Sequence, residues 1–199
     1  HNHTEYSLLD GATHIKDMVR RAAELDMPAI AITDHGVMSG VPEFSDACDA
    51  VEKETGKRVK PIFGCEVYFT PDESLRKDVK PKLVSQSHVD NFYYKPRTTF
   101  SMLQKYGHGI IGSSACIAGI IPKLLDNRQF DDAVAWAKRF ASCFDEGDFY
   151  IELQNQGIRT DGGLTQTELN HQLTEVARAA GLKTIATNDF HYLTREDAR

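Results

Sequence analysis

The sequence predicts an α/β fold of the barrel kind. Short apolar runs that read as strands alternate with helical periodicities along the whole chain, which implies a parallel sheet or barrel. Side chains that bind metals follow several of those strands, where a parallel barrel gathers its site. No Gly-x-Gly-x-x-Gly or Walker loop supports an open doubly wound sheet instead.

Ile15, Met18, Val19, Ala22 and Leu25 recur at helical spacing until Met27-Pro28 breaks the pattern, and Ala29 to Thr33 follows as a buried strand. A second helix is expected from about Pro42 to Glu54, with the proline tolerated in its first turn. Pro61 to Glu66 is the next strand. Thr70 to Lys82 holds two prolines and mixed charge with little periodicity, so it reads as loop. Order returns with a helix near Thr99 to Tyr106, a strand over Gly109 to Ser113, and helices near Ile117 to Asn127 and Asp131 to Cys143. Phe149 to Leu153 is a strand. Leu169, Leu173, Val176, Ala177 and Ala180 form one helical face that Gly181 closes, and Thr184 to Thr187 is the last strand.

At 199 residues the chain suits one domain with a full core, and 41% hydrophobic with 26% charged residues is ordinary globular composition. A net charge of -6 argues against coating nucleic acid through bulk positive charge, although a local basic strip can still hold a phosphate backbone. Cys48, Cys65, Cys116 and Cys143 are scattered without a Cys-x-x-Cys pair, so neither a zinc ribbon nor a disulfide scaffold is indicated. A reducing cytoplasm is the expected setting. No apolar run approaches the roughly 20 residues that span a bilayer, and no signal peptide precedes His1. The abrupt ends at His1 and Arg199 read as a fragment of a longer chain.

The chemistry is concentrated in a scattered set: His1, His3 and Asp10, then Asp34-His35 and Glu66, then Cys116, then Asp189-x-His191. A His-x-His pair places both imidazoles on one side of an extended segment. Alone it is as readily an exposed strand as a metal site, but the later groups, each after a strand, favour a multinuclear centre. Carboxylate with imidazole suits zinc, manganese or iron rather than calcium.

His1-Asn-His-Thr-Glu-Tyr-Ser-Leu-Leu-Asp-Gly11, Ala31-Ile-Thr-Asp-His-Gly36, Gly64-Cys-Glu-Val-Tyr68, Phe92-Tyr-Tyr-Lys-Pro-Arg97, Ser114-Ala-Cys-Ile-Ala-Gly119 and Ala186-Thr-Asn-Asp-Phe-His-Tyr-Leu193 resemble one family closely. It is the polymerase-and-histidinol-phosphatase (PHP) domain of the bacterial DNA polymerase III alpha subunits, and the likeness runs from end to end. The Tyr-Ser-Leu-Leu-Asp-Gly run favours the main replicative subunits over the related Gram-positive type.

The resemblance implies a distorted (β/α)7 TIM-like barrel over residues 1–199, a single PHP domain, with two or three divalent metal ions at its mouth, zinc first and manganese or iron as alternatives. Carried over residue by residue, the implied ligands are His1, His3, Asp10, His35, Glu66, Cys116, Asp189 and His191. Asp10, His35 and Asp189 are the residues expected to serve catalysis. The family normally has a further ligand, a His opening a strand between the Glu66 strand and Phe92. Here the loop around Asp78 to Lys82 runs directly into Leu83, so a segment near 78–83 is expected to be missing. His88 falls after that strand and is read as a structural or surface residue.

Asp34 is expected to orient His35 or to cap a helix. His14, His108 and His171 are read as solvated, and Cys48 and Cys143 as small core residues. Lys95 and Arg97 are candidates for touching a phosphate. The expected activity is metal-dependent phosphoester hydrolysis, as 3′-to-5′ exonuclease proofreading of a primer end. The expected partners are the DNA primer-template, the polymerase core of the same chain and other replisome subunits, with no membrane. Two alternatives remain open: a non-catalytic module stabilised by metal, and a small-substrate phosphatase of the histidinol-phosphatase kind.

Overall fold

A computed structural model describes residues 1–70 and 97–198. The chain divides into two compact units, His1–Tyr68 with Asp189–Arg199, and Phe69–Asn188.

In the first unit, α1 (Ile15–Glu24) turns Ile15, Met18, Val19, Ala22 and Ala23 inward, as the 3.6-residue period requires. Asp26 takes a left-handed φ of 54° and ends the helix ahead of β1 (Ala29–Ile32). α2 (Val41–Thr55) carries Pro42 in its first turn, where the missing N–H has no partner to lose, and buries Phe44, Ala47, Cys48 and Val51. β2 (Lys60–Phe63) lies parallel to β1, with Ala29 opposite Lys60 and Ile32 opposite Phe63. The buried faces of both helices close over Ile32 and Val59 as one core.

β3 (Tyr68–Phe69) pairs with β4 (Arg97–Thr98). In the second unit, α3 (Phe100–Tyr106) starts at Thr99, whose side chain accepts from Met102 N. A three-stranded sheet follows, β5 (Gly112–Ser113), β6 (Phe149–Leu153) and β7 (Lys183–Ala186), parallel throughout with β6 central. Its helices are α4 (Ile120–Asp126), α5 (Phe130–Ala141) and α6 (Gln166–Ala180). Thr165 and Glu168 form a capping box at the start of α6, and Gly181 ends it with φ 71°. Ile121, Leu125, Ala133, Ala137, Phe149, Ile151, Leu169, Leu173, Val176 and Ala177 form the second core.

The expected α/β class and parallel pairing are present, and the helices fall where the periodicities put them. Three elements are shorter than the sequence reading. β5 keeps only Gly112–Ser113 of the strand expected from Gly109. Gly109 sits at φ 73° in a turn, where Ile110 N reaches Gly107 O at 3.1 Å. α4 begins at Ile120 because Cys116 to Gly119 forms a turn closed by Gly119 N to Cys116 O at 2.8 Å. β2 ends at Phe63, and the chain rejoins the sheet only at Glu66. The described strands form three separate sheets. The loop expected from Thr70 to Lys82 lies, beyond Thr70, outside the described residues, as do the missing segment near 78–83 and His88.

His108 and Asp145 brace the Gly109 turn: the imidazole Nδ1 lies 2.8 Å from Asp145 Oδ1, and Gly109 N donates to Oδ2 at 2.8 Å. The hydrogen bond to Asp145, then its charge, raises His108 above the ordinary imidazole value. A raised folded value means the contact is complete below about pH 6.5 and is lost as pH rises through the His108 transition. Proton NMR titration should place the His108 transition above that value, and Asp145→Asn should return it there. An unchanged transition in the variant would show that the pair does not form.

Candidate metal centre

Beyond their regular hydrogen bonding, β1 and β2 continue as an irregular parallel edge that also takes in both ends of the first unit's chain. His35 bridges Glu66 and Asn2 bridges Phe190, both in parallel fashion. Thr33 N donates to Asn2 O at 2.9 Å, His3 N to Phe190 O at 2.8 Å, and Phe190 N to His1 O at 3.1 Å. Asn2 adds its side-chain amide to Ala31 O at 3.0 Å. Four segments distant in sequence thus lie side by side, and the period of two sends alternate side chains to one face.

That face carries six of the eight expected ligands, and a seventh, Asp10, reaches it from the turn before Gly11. His1 Nε2 lies 3.3 Å from Glu66 Oε1, and His3 Nε2 lies 3.3 Å from Glu66 Oε2 and 3.6 Å from Asp189 Oδ1. His35 spans two carboxylates, with Nδ1 2.9 Å from Glu66 Oε2 and Nε2 3.1 Å from Asp10 Oδ2. His191 Nε2 lies 3.2 Å from Asp189 Oδ1. The His3 ring stacks against both His35 and His191, with centroids 4.1 and 4.5 Å away. Two groups have their ligand atoms within 4.8 Å of one another: His1, His3 and Glu66, and His3, Asp189 and His191. His3 belongs to both, so the two candidate ion positions adjoin.

The hydrogen bonds behind the rings decide which nitrogens face inward. Asp34 is buried and accepts from Thr4 N at 2.7 Å, Thr4 Oγ1 at 2.8 Å and Ser7 Oγ at 2.8 Å. Ser7 gives its one proton to Asp34, so the 3.2 Å contact between Ser7 Oγ and His3 Nδ1 needs the proton on the imidazole. His3 Nε2 is then a bare lone pair pointing at two carboxylates. His191 Nδ1 lies 3.2 Å from Asp10 O, a carbonyl that only accepts, so its Nε2 is also a lone pair facing Asp189. His3 Nε2 and Glu66 Oε2 are buried and make no hydrogen bond. Lone pairs opposed at such distances are unfavourable unless a cation lies between them. The donor set of imidazole nitrogen and carboxylate oxygen therefore fits a divalent metal of the zinc, manganese or iron kind.

The electrostatics agree with a site kept ionised. Burial pushes the Glu66 carboxyl up, but His1, His35 and His3 outweigh it and hold the group below the usual carboxylate range. The adjacent His3, against burial, and the nearby His1 and His191 hold Asp189 low as well.

Asp34 differs from its expected roles. It caps no helix and reaches His3 through Ser7, whose Oγ also accepts from His35 N at 3.2 Å. Thr4 and Ser7 were not anticipated, and their only signal in sequence is a hydroxyl one and four residues after His3. Gly11 has a steric reason: a Cβ there would run into the Thr4 carbonyl and meet Ser7 Cβ at 3.0 Å.

Cys116, the eighth expected ligand, lies half-buried after β5 in the second unit. Arg97 is an exposed residue of β4 in that unit, and Lys95 falls outside the described residues. His14, His108 and His171 are exposed, and Cys48 and Cys143 are buried, as expected. Cys65 donates to Asp34 O at 3.4 Å, and burial pushes its thiol up to about 11.

The family model for the PHP domain matches residues 1–156. The chain is 35% identical over 223 residues to the DNA polymerase III subunit alpha of Borreliella burgdorferi, covering 100% of this chain and 18% of that protein. It is 36% identical over 228 residues to the subunit from Helicobacter pylori, and 33% over 224 to that from Aquifex aeolicus, again spanning 18% of each and 100% and 99% of this chain. The chain thus spans about a fifth of the length of the curated relatives it matches. With a matching family model over most of its length and a histidine–carboxylate centre on a parallel edge, the chain belongs to the PHP domain family.

Proposed function

We propose that this chain is the PHP domain of a replicative DNA polymerase III alpha subunit, and that it hydrolyses phosphodiesters as a 3′-to-5′ exonuclease acting on the mispaired primer end. The observation that carries the reading is the pair of adjoining carboxylate–histidine groups that share His3, with inward lone pairs and ionised acids. Its ions are two or three divalent cations, zinc first and manganese or iron as alternatives. His1, His3, Asp10, His35, Glu66, Asp189 and His191 hold them, and Cys116 joins the set on the strength of the family resemblance alone. A closed seven-stranded barrel belongs to the same reading.

When bound, such ions lower the pKa of a water toward neutrality and neutralise charge on the attacked phosphate. The protein's own residues prepare that chemistry. Asp10, about half exposed, and His35 form the open side of the centre, where a phosphate can enter. His35 Nε2 and Asp10 Oδ2 can pass a proton between them, and Asp189 holds His191 and His3 in register. Asp34, through Ser7, fixes the His3 tautomer so that its Nε2 stays a ligand. Arg97 and Lys95 are proposed to touch the DNA backbone.

The partners in this reading are the DNA primer-template, the polymerase core of the same chain and other replisome subunits, in the cytoplasm. No described helix is long and apolar enough to cross a membrane. A segment near 78–83, holding a further His ligand, is proposed to be missing from this sequence.

Full-length protein incubated with a 3′-mismatched primer-template should release mononucleotides, and Asp10→Asn or Asp189→Asn should each abolish that release while polymerisation persists. Release that survives both substitutions overturns the exonuclease reading. No release by the unsubstituted, metal-loaded protein favours a metal-stabilised structural module instead. By calorimetric titration, Ser7→Ala should weaken zinc binding about 10- to 100-fold, because the His3 ring loses the contact that fixes its tautomer. Affinity within twofold of the unsubstituted protein would show that Ser7 does not set the His3 ring.

A further inference from the structure

Leu8 and Leu9 stand on the turn that carries Asp10, and they are 88% and 89% exposed. The turn beneath them is braced. Ser7 O accepts from Asp10 N at 3.0 Å and from Gly11 N at 2.8 Å, while Ser7 Oγ donates to the buried Asp34 at 2.8 Å. Gly11 closes the turn so tightly that a Cβ there would strike the Thr4 carbonyl. A tight turn facing water is ordinarily built of polar residues. Two consecutive leucines held out on a braced turn leave uncovered the kind of apolar surface that marks a binding site.

Tyr192 supplies the second observation. It is 45% exposed, follows His191 directly, and its ring lies 6.3 Å from that imidazole. Its segment is tied to the leucine turn, because Ala12 N donates to His191 O at 3.0 Å and His191 Nδ1 lies 3.2 Å from Asp10 O. The two segments therefore meet at Asp10, whose half-exposed carboxylate lies 3.1 Å from His35 on the open side of the centre. All of these residues belong to the first unit. Leu9 directly precedes one proposed ligand and Tyr192 directly follows another. Their chemistry suits neither a phosphate nor a sugar hydroxyl, but it matches the flat apolar face that every nucleobase presents.

We propose that Leu8, Leu9 and Tyr192 form a base-binding rim beside the metal centre, which takes the unpaired 3′-terminal base of a DNA strand as its phosphodiester reaches Asp10 and His35. This role rests on the exonuclease reading above and names the part of the substrate that the site holds. A base in a matched duplex must be unpaired and unstacked before it meets such a rim, whereas a mispaired end is already loose. The rim thus favours mispaired ends. It does so without hydrogen bonds to the base edge, so it accepts any of the four bases.

Steady-state release of mononucleotide by the full-length protein tests this, on a 3′-mismatched primer-template and on the same duplex ending in a tetrahydrofuran abasic residue. A Leu8→Ser, Leu9→Ser double variant and Tyr192→Ala should each raise KM for the mismatched end about tenfold, with most of the effect in KM rather than kcat and with zinc content retained. The unsubstituted protein should already show that higher KM on the abasic end, and the substitutions should add less than about twofold to it. Tyr192→Phe keeps the ring and should keep the original KM. Leu25→Ser, at an exposed leucine just past α1, should change neither substrate's kinetics. Should the double variant aggregate, the single leucine variants and Tyr192→Ala decide the matter. An unchanged KM on the mismatched end overturns the rim and leaves the exonuclease reading intact. An equal rise on the abasic end does the same, because the residues then do not act through the base. A lowered melting temperature or an altered oligomeric state with KM unchanged also overturns the rim, and assigns the leucines to packing against another part of the polymerase or a second copy. An unsubstituted, metal-loaded protein that releases nothing from either end overturns the exonuclease reading itself, and the rim with it.

Discussion

The centre depends on one backbone constraint: four segments drawn from residues 1–3, 33–35, 64–66 and 189–191 are hydrogen-bonded side by side in parallel. Each contributes only two or three residues to the edge. The regular β1–β2 ladder and the core beneath it supply the rigidity that such short pieces lack. Because successive side chains alternate, a slip of one residue in the Asn2–Phe190 bridge would turn Asp189 and His191 away from the face that His1 and His3 share. The amide of Asn2 opposes that slip by reaching Ala31 O, and its backbone N reaches Thr33 Oγ1 at 2.7 Å.

Behind the face lies a polar network that holds the rings where their own rotamers would not. Asp34 draws Thr4 and Ser7 together beneath His3, and Gly11 lets the loop fold back closely enough for Ser7 to arrive. The result is a layer in which Nδ1 protons point outward to hydroxyl and carbonyl, while Nε2 lone pairs point inward to Glu66 and Asp189. In the proposed metal reading, an arrangement that opposes lone pairs to carboxylates would gain its stability from cations, which would couple fold stability to metal occupancy. Asp10 sits on the open side and Asp189 on the buried side. Under the proposed hydrolysis, that difference would let one acid face an arriving phosphate while the other holds the interior.

Much of this was legible in the sequence. The periodicities of Ile15 to Ala22 and of Leu169 to Ala180 give helices because their apolar faces each pack on one core, and the α/β class follows from their alternation with short apolar runs. The candidate ligand types stood out in the sequence because histidine and carboxylate after a strand have few other uses together, and the structure brings seven of them into one cluster. What sequence could not reveal was longer in range. Asp34 stands beside His35 in the chain, so its partnership with His3 through Ser7 depends on a pairing of residues some thirty positions apart. The short extent of β5 follows from the positive φ of Gly109, a turn that the apolar pair Ile110-Ile111 disguises.

The central claim is that these side chains form a multinuclear metal centre. Elemental analysis of full-length protein, purified without chelator and equilibrated with zinc, measures it most directly. The account requires at least two bound ions per chain beyond any held elsewhere in the polymerase, as judged by a His3→Ala, Asp189→Asn double variant that loses them. A folded protein whose ion content is unchanged by that double substitution, or that differs from it by fewer than two ions, contradicts the account.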